Sequence, residues 1–138
     1  MPSQADRSGR PGALLRVAIA LLKSPDNCAP SRLAETARGA QVEPTDLRAV
    51  GWACMGALIR ACSLRNVSAD GPAFGAAMLC LHQAAGLRKS GRSTLDWERD
   101  SGRSHNDMLA MLRHAAVLAH LRERADTLKA VEAPADRA

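Results

Sequence analysis

The sequence is poor in aromatic residues, with no tyrosine, one phenylalanine and two tryptophans. Its apolar content is instead mostly alanine and leucine, which lead the ranking of helix propensity, whereas aromatic and β-branched residues favour strands. The composition therefore predicts a mainly α-helical protein. It also disfavours binding of single-stranded nucleic acid by base stacking, because that mode needs exposed aromatic rings.

The sequence also lacks a long apolar run. The longest one extends from Ala13 to Leu22 and is interrupted by Arg16, whereas a membrane-spanning helix needs about 20 apolar residues. A secretory signal peptide is not expected either, since Pro2 and Asp6 precede this run and no small-residue cleavage site follows it. We therefore expect a cytoplasmic protein without a membrane partner.

The motifs of a metal site are missing as well. No Cys-x-x-Cys or His-x-x-x-His pair occurs, and the closest approach is Cys80 with His82. On a helix these two side chains would point about 200° apart, so they would not share an ion. The remaining cysteines are Cys28, Cys54 and Cys62. All four are expected to be reduced core thiols, and no metal or cofactor is expected.

Candidates for catalysis are few, and we expect the protein not to be an enzyme. There is no glycine-rich phosphate loop, and the cysteines of the central segment have no neighbouring charge that would activate a thiol. His105 is the best acid–base candidate, because it lies near Trp97, Asp100 and Arg103. The alternative is that His105 is an ordinary solvated residue in the first turn of a helix.

The chain of 138 residues has room for one domain. We expect disordered tails at 1–10 and 130–138 around a helical domain at 11–129. Apolar periodicity predicts a bundle of about four helices, approximately at residues 12–23, 46–65, 72–85 and 104–129. A polar connection at 87–103 holds Trp97.

The second predicted helix, from Asp46 to Arg65, is expected to be central because it is apolar almost all round. Ala49, Ala53 and Gly56 would form a seam of small residues along one face, which favours close approach by a neighbouring backbone.

The segment 31–43 has two interpretations. It forms either a small β-hairpin that turns at Gly39, the residue best suited to a positive φ, or a short helix. The residues of this segment alone leave both interpretations open.

Residues 31–50 also have a passing likeness to a helix-turn-helix. In that motif the helix from Asp46 would be the recognition helix and would face water in a DNA groove. Instead it carries a row of apolar side chains, Val50, Trp52, Cys54, Met55, Leu58 and Ile59. Burying such a helix is far more favourable than exposing it, so the apolar pattern argues against the motif.

Three blocks resemble a family of small bacterial and phage proteins known only as a domain of unknown function. The blocks are LAETARGAQVEP, DLRAVGWACMGALIRA and STLDWERDSGRSHNDMLAMLRHAA. The resemblance implies a short extended hairpin in the first block, and it brings no activity with it. This chain departs from the family pattern at Glu98 and Arg99, where Asn-Asp is usual, and at Cys28, which takes the place of an early Trp.

The leading hypothesis is a non-enzymatic interaction module, a small regulator or inhibitor that binds another protein. Tryptophan and arginine are over-represented among interface hot spots. The candidate interaction surface comprises Trp97, Arg99, Arg103, Arg113, His120 and Arg124. The alternative for Trp97 is that it packs as a lid on the bundle.

Two other functions and one mode of assembly stay open. The net charge of +5 and the pI near 9.6 permit nucleic-acid binding through Arg88, Lys89, Arg92 and the face of His120 and Arg124. A small enzyme would have its site near Trp97 and His105. A homodimer would pair through the last helix, at Leu121, Ala125 and Leu128.

Overall fold

The computed structural model describes residues 10–29, 32–87, 93–99 and 103–132. Of the tails expected at 1–10 and 130–138, residues 1–9 and 133–138 lie outside the described part, whereas residues 130–132 are helical. The helices in this part of the chain are α1 (Pro11–Leu21), α2 (Cys54–Leu64), α3 (Pro72–Ala84), α4 (Thr94–Arg99) and α5 (His105–Glu132). The strands are β1 (Ala34–Glu35) and β2 (Gly51–Trp52), and a 3₁₀ turn spans Pro25–Asn27. The fold is a mainly α-helical bundle with one small antiparallel strand pair, as the sequence predicted.

Helix α1 lies at the centre of the bundle, where it packs against α2, α3 and α5. It starts at Pro11, whose fixed φ suits the first helical position. Leu14, Leu15 and Ala18 are fully buried. The helix predicted at 46–65 was expected to be the central one, and this was wrong. Its first part, before Cys54, is not helical.

Helix α2 begins at Cys54, whereas the sequence predicted a start at Asp46. Asp46 instead forms a tight turn, in which its side chain accepts a hydrogen bond from the backbone N–H of Arg48 at 2.8 Å. The chain then runs extended into β2, and Ala49 lies outside the helix. This conformation suits β-branched Val50 and aromatic Trp52 better than a helix does.

The pair of β1 and β2 is distinct from the hairpin predicted at 31–43. Ala34 faces Trp52 and Glu35 faces Gly51, so β1 pairs with the segment that precedes α2. A reversal does occur at the predicted place, since Gly39 has a φ of 82° and a single bridge joins Glu35 to Gln41. Backbone hydrogen bonds from the N–H of Thr36 to Ala40 and from the N–H of Val42 to Ala34 accompany this reversal. The predicted hairpin is therefore present, and β1 pairs in addition with β2.

Gly56 packs directly against a neighbouring backbone. A Cβ at this position would lie 2.7 Å from the carbonyl carbon of Leu33 and closer still to its oxygen. The prediction of close backbone approach is thus confirmed at Gly56, and it is the reason why α2 can lie against the segment that leads into β1.

Two further features differ from the predicted helices, one additional helix and one later helix end. The connection at 87–103 contains the short helix α4, and α5 continues to Glu132 instead of ending near residue 129. The basic stretch with Arg88, Lys89 and Arg92 lies outside the described residues, as does Asp100.

Replacing Gly56 with alanine should destabilise the fold by about 3 kcal/mol or more, because the added methyl group collides with backbone rather than with a movable side chain. Gly75→Ala is the matched control: Gly75 lies in α3, and its added Cβ meets nothing within 4 Å. That change should stabilise by about 0.5–1 kcal/mol. Urea unfolding of both variants tests the pair, and equal effects would contradict the close packing at Gly56.

Candidate functional site

Helix α4 buries three side chains, Thr94, Trp97 and Glu98. Ser93 caps the helix, accepting a hydrogen bond from the N–H of Asp96 at 3.1 Å. Trp97 is only 7% exposed, and the guanidinium of Arg103 lies over its ring at 4.3 Å from the centroid. Trp97 is therefore a core residue in the position of a lid and does not belong to an exposed surface.

The buried carboxyl group of α4 is that of Glu98, whose exposed fraction is 5%. Its Oε1 accepts a hydrogen bond of 2.7 Å from the backbone N–H of Cys54, the first residue of α2. Ala53, at the N-cap of α2, has no side chain that can cap the helix. Glu98 supplies this missing acceptor from 44 residues away in the sequence, in a place where the helix dipole favours a negative charge.

The other carboxyl oxygen of Glu98, Oε2, is buried and has no hydrogen-bond partner among the described residues. Burial raises the pKa of Glu98 to about 7, although the hydrogen bonds with Cys54 act in the opposite direction. Near neutral pH the group is thus divided between the acid and the carboxylate. Buried polar atoms without a partner are rare in proteins, so this oxygen marks a place where the bundle is not optimised for stability.

Two thiols lie near Glu98. Burial raises the pKa of the Cys54 thiol well above its ordinary value, and the Glu98 carboxylate raises it further. The same two causes, with burial the larger, raise the pKa of Cys28 to about 11. Catalytic thiols need the opposite shift, so this environment does not make a nucleophile of either cysteine.

A cavity of about 220 Å³ opens between the 3₁₀ turn, α4 and the start of α5. We refer to it as the Glu98 cavity. Its wall is formed by Pro25, Cys28, Glu98, Arg103, Ser104, His105 and Met108. The wall therefore combines one carboxyl group, one guanidinium, one thiol, one hydroxyl and one imidazole with two apolar side chains.

The start of α5 forms one side of this cavity. Ser104 and Asp107 make a capping box, in which the Ser104 hydroxyl accepts from the Asp107 N–H at 3.1 Å and the Asp107 carboxylate accepts from the Ser104 N–H at 2.8 Å. His105 donates from Nε2 to the carbonyl oxygen of Leu22 at 2.7 Å. The imidazole is therefore held in the wall, between the end of α1 and the start of α5.

The outer face of α5 is a second candidate surface. Its inner stripe, Met108, Leu112, Ala115 and Ala119, is buried in the bundle. Residues two positions apart on a helix point about 200° away from each other. The side of α5 opposite the inner stripe therefore carries Val117, Leu121, Arg124, Leu128 and Val131. The four apolar residues among these are each more than half exposed. We call this stripe, with the neighbouring Arg113 and His120, the outer face of α5.

The six residues predicted as one interaction surface therefore fall into separate places. Arg113, His120 and Arg124 share the outer face of α5 and are exposed. Arg103 lines the Glu98 cavity, and Arg99 is exposed on α4. Trp97, as described above, is buried.

Neither Glu98 nor Cys28 was predicted as a site residue. One signal was present, because these are the positions at which the chain departs from the pattern of the family it resembles. The structure brings both into the wall of one cavity. Neither residue lies in a local motif, so only the fold could show that they meet.

In the part of the chain that the structure describes, no group of three or more His, Cys, Asp or Glu side chains is placed to hold a metal ion. None of the helices between residues 10 and 132, within the described ranges, combines the length and apolarity needed to cross a bilayer.

Fold and site together define a small helical-bundle protein with a buried carboxyl group beside a small cavity. A model described as a family of unknown function, DUF6197, matches residues 6–118. The chain belongs to this family, in agreement with the resemblance found in the sequence. No curated protein and no solved structure matches the chain.

Replacing Glu98 with glutamine should remove a pH dependence of stability. The native pKa of about 7 lies above the unfolded value near 4.5, so between these values the folded state binds more protons than the unfolded state. Glu98 therefore lowers stability progressively as pH rises through this window, by about 3 kcal/mol in total. Glutamine keeps an oxygen that accepts the hydrogen bond from the Cys54 N–H. It does not ionise, so this residue would no longer make stability depend on pH.

Glu98→Gln should thus be more stable than the wild type above pH 7, and the difference should shrink as pH falls towards 4.5. Chemical denaturation across this range measures it. Glu43→Gln, at an exposed position, is the control and should show no such trend. A Glu98→Gln variant that is less stable than the wild type at pH 8 would contradict the unpartnered, charged state of Glu98.

Proposed function

We propose that the protein is an interaction module, a small regulator or inhibitor, that binds an acidic amphipathic segment of another protein through the outer face of α5. The observation that carries this proposal is the apolar stripe of Val117, Leu121, Leu128 and Val131, exposed on a helix whose opposite stripe is fully used in the core. The contact would be that of a helix lying along a helix.

The spacing of this stripe supports a helical partner. From residue 117 to residue 131 its members follow one another at intervals of four, three, four and three residues. This is the spacing with which one helix packs along another in a coiled coil. The stripe continues beyond residue 123, and every described side chain from Arg124 to Val131 is exposed. A partner helix therefore has room to lie along this part of α5.

The charges on the outer face of α5 favour an acidic partner. Arg113 and Arg124 are exposed on it. The only two carboxylates between residues 110 and 131 are Glu123 and Asp126. Glu123 accepts a hydrogen bond from the N–H of Gly12 at 3.0 Å, and Asp126 lines a groove together with Arg10 on the bundle side. The outer face therefore presents positive charge without a matching negative charge.

The same charges disfavour a second copy of this chain as the occupant. Pairing two outer faces would bring arginines towards arginines, and like charges at such positions destabilise a helix pair. The apolar stripe also distinguishes a protein from a nucleic acid, since phosphate contacts need only the cations.

We further propose that the protein works in a reducing compartment, the cytoplasm, without catalysing a reaction. All four cysteines are free thiols, three of them buried, and disulfides are uncommon in the cytosol. Burial raises the pKa of each of the four, which lowers their reactivity as nucleophiles.

The test begins with affinity purification from the native cells, using the wild type and the double variant Leu121→Asp/Leu128→Asp. The partner should be enriched by the wild type and lost with the double variant, since each buried leucine contributes about 1.5–3 kcal/mol. Leu47→Asp is the matched control, because Leu47 is exposed but lies far from α5 in the sequence, in the turn before β2. It should retain the partner.

The purified partner should then bind the chain directly, through a segment rich in Asp and Glu. Arg124→Glu should weaken this binding about tenfold, which corresponds to about 1.4 kcal/mol, and added salt should weaken it in the wild type. Three results would contradict the proposal: a partner that Leu47→Asp loses equally, enrichment of nucleic acid alone, or a homodimer in light scattering that the double variant dissociates.

A further inference from the structure

We propose that the Glu98 cavity is a binding site for a small zwitterion with one ammonium group and one carboxylate, such as a free α-amino acid. Glu98 binds the ammonium group, and Arg103 binds the carboxylate. This site lies at the start of α5 and not on its outer face, so it does not rest on the proposed interaction with a partner protein.

The first observation is the state of Glu98. Its Oε1 is fixed by the N–H of Cys54, whereas the buried Oε2 has no hydrogen-bond partner among the described residues. It also has no ion-pair partner there. An unmatched, buried carboxylate is strongly destabilised. An ammonium group supplies both a positive charge and three N–H donors, so it satisfies the oxygen and the charge together.

The second observation is the position of Arg103 in the same wall. Its guanidinium is held over the ring of Trp97 at 4.3 Å from the centroid, which fixes the side chain without using its N–H donors. A guanidinium is suited to bind a carboxylate with two parallel hydrogen bonds. A ligand with only a positive charge would be repelled by Arg103, whereas a zwitterion matches both charged groups.

The size of the cavity limits the ligand. Its volume of about 220 Å³ is below the range of roughly 300–1,000 Å³ that is usual for drug-sized ligands. Pro25 and Met108 provide apolar contact for a short side chain. A single amino acid fits this description better than a peptide or a nucleotide.

Binding should depend on pH. The ammonium group pairs with the ionised form of Glu98, whose pKa is raised by burial to about 7. Affinity should therefore rise roughly tenfold from pH 6 to pH 8, with release of a proton on binding at the lower pH. Among the described residues, the other titratable or charged groups around Glu98 are Cys28, Cys54, Arg103 and His105. His105→Gln should keep the pH dependence if Glu98 is the group responsible.

The experiment is a titration of the full chain, labelled with ¹⁵N, with each standard free amino acid at up to about 5 mM, a range that detects dissociation constants near 1 mM. At least one should shift the amide signals of residues around the cavity, including Cys28 and His105. Isothermal titration calorimetry then gives the affinity. Glu98→Gln and Arg103→Gln should each weaken it about tenfold or more, and the exposed Arg113→Gln should leave it unchanged.

Two analogues of the amino acid that binds test the roles of its carboxylate and its ammonium group separately. The amino-acid amide lacks the carboxylate, and the N-acetyl amino acid lacks the ammonium group, so each should bind at least about tenfold more weakly. The denaturation data on Glu98→Gln show whether that variant is folded. The proposal is overturned if no amino acid binds, if either cavity variant binds like the wild type, or if the amide binds as tightly as the free acid.

Discussion

The hydrogen bond from the Cys54 N–H to Glu98 joins the two parts of the chain on which the site depends. It caps α2, which has no cap of its own, and it holds α4 against the start of α2. With α4 in this place, Trp97 is buried and Arg103 lies over its ring. The bond is obtained by burying an ionisable group whose second oxygen has no partner in the described residues. One hydrogen bond therefore both caps α2 and positions the candidate site. The same residue, Glu98, lowers the stability of the fold because its carboxyl group is buried.

Helix α5 takes part in both candidate sites, but with different residues. Its first turn closes the Glu98 cavity and is anchored by the bond from His105 to Leu22. Farther along, its inner stripe completes the core with α1 and α3, and its outer face carries exposed apolar residues and arginines. The rigid bundle fixes the position of both surfaces, so a ligand and a partner protein would each meet a surface that is already formed.

Composition and periodicity were sufficient to predict the helical class, the bundle and most helix positions, because alanine, leucine and their spacing report directly on helices. The start of α2 was misplaced, since Val50 and Trp52 look apolar in either conformation and only pairing with β1 makes them extended. Close packing at Gly56 was predictable from the residue type. The Glu98 cavity could not be predicted, because its wall is formed by the 3₁₀ turn, α4 and α5. No local sequence pattern indicates that these three segments pack together.

The exposed end of α5 is separable from the rest of the molecule. Leu121, Leu128 and Val131 come after residue 118, where the match to the family ends, and every described side chain from Arg124 to Val131 is exposed. Substitutions in this segment touch neither the core nor the Glu98 cavity. Sequence variation in this segment would therefore leave the bundle and the wall of the cavity unchanged, so the two surfaces are free to evolve independently.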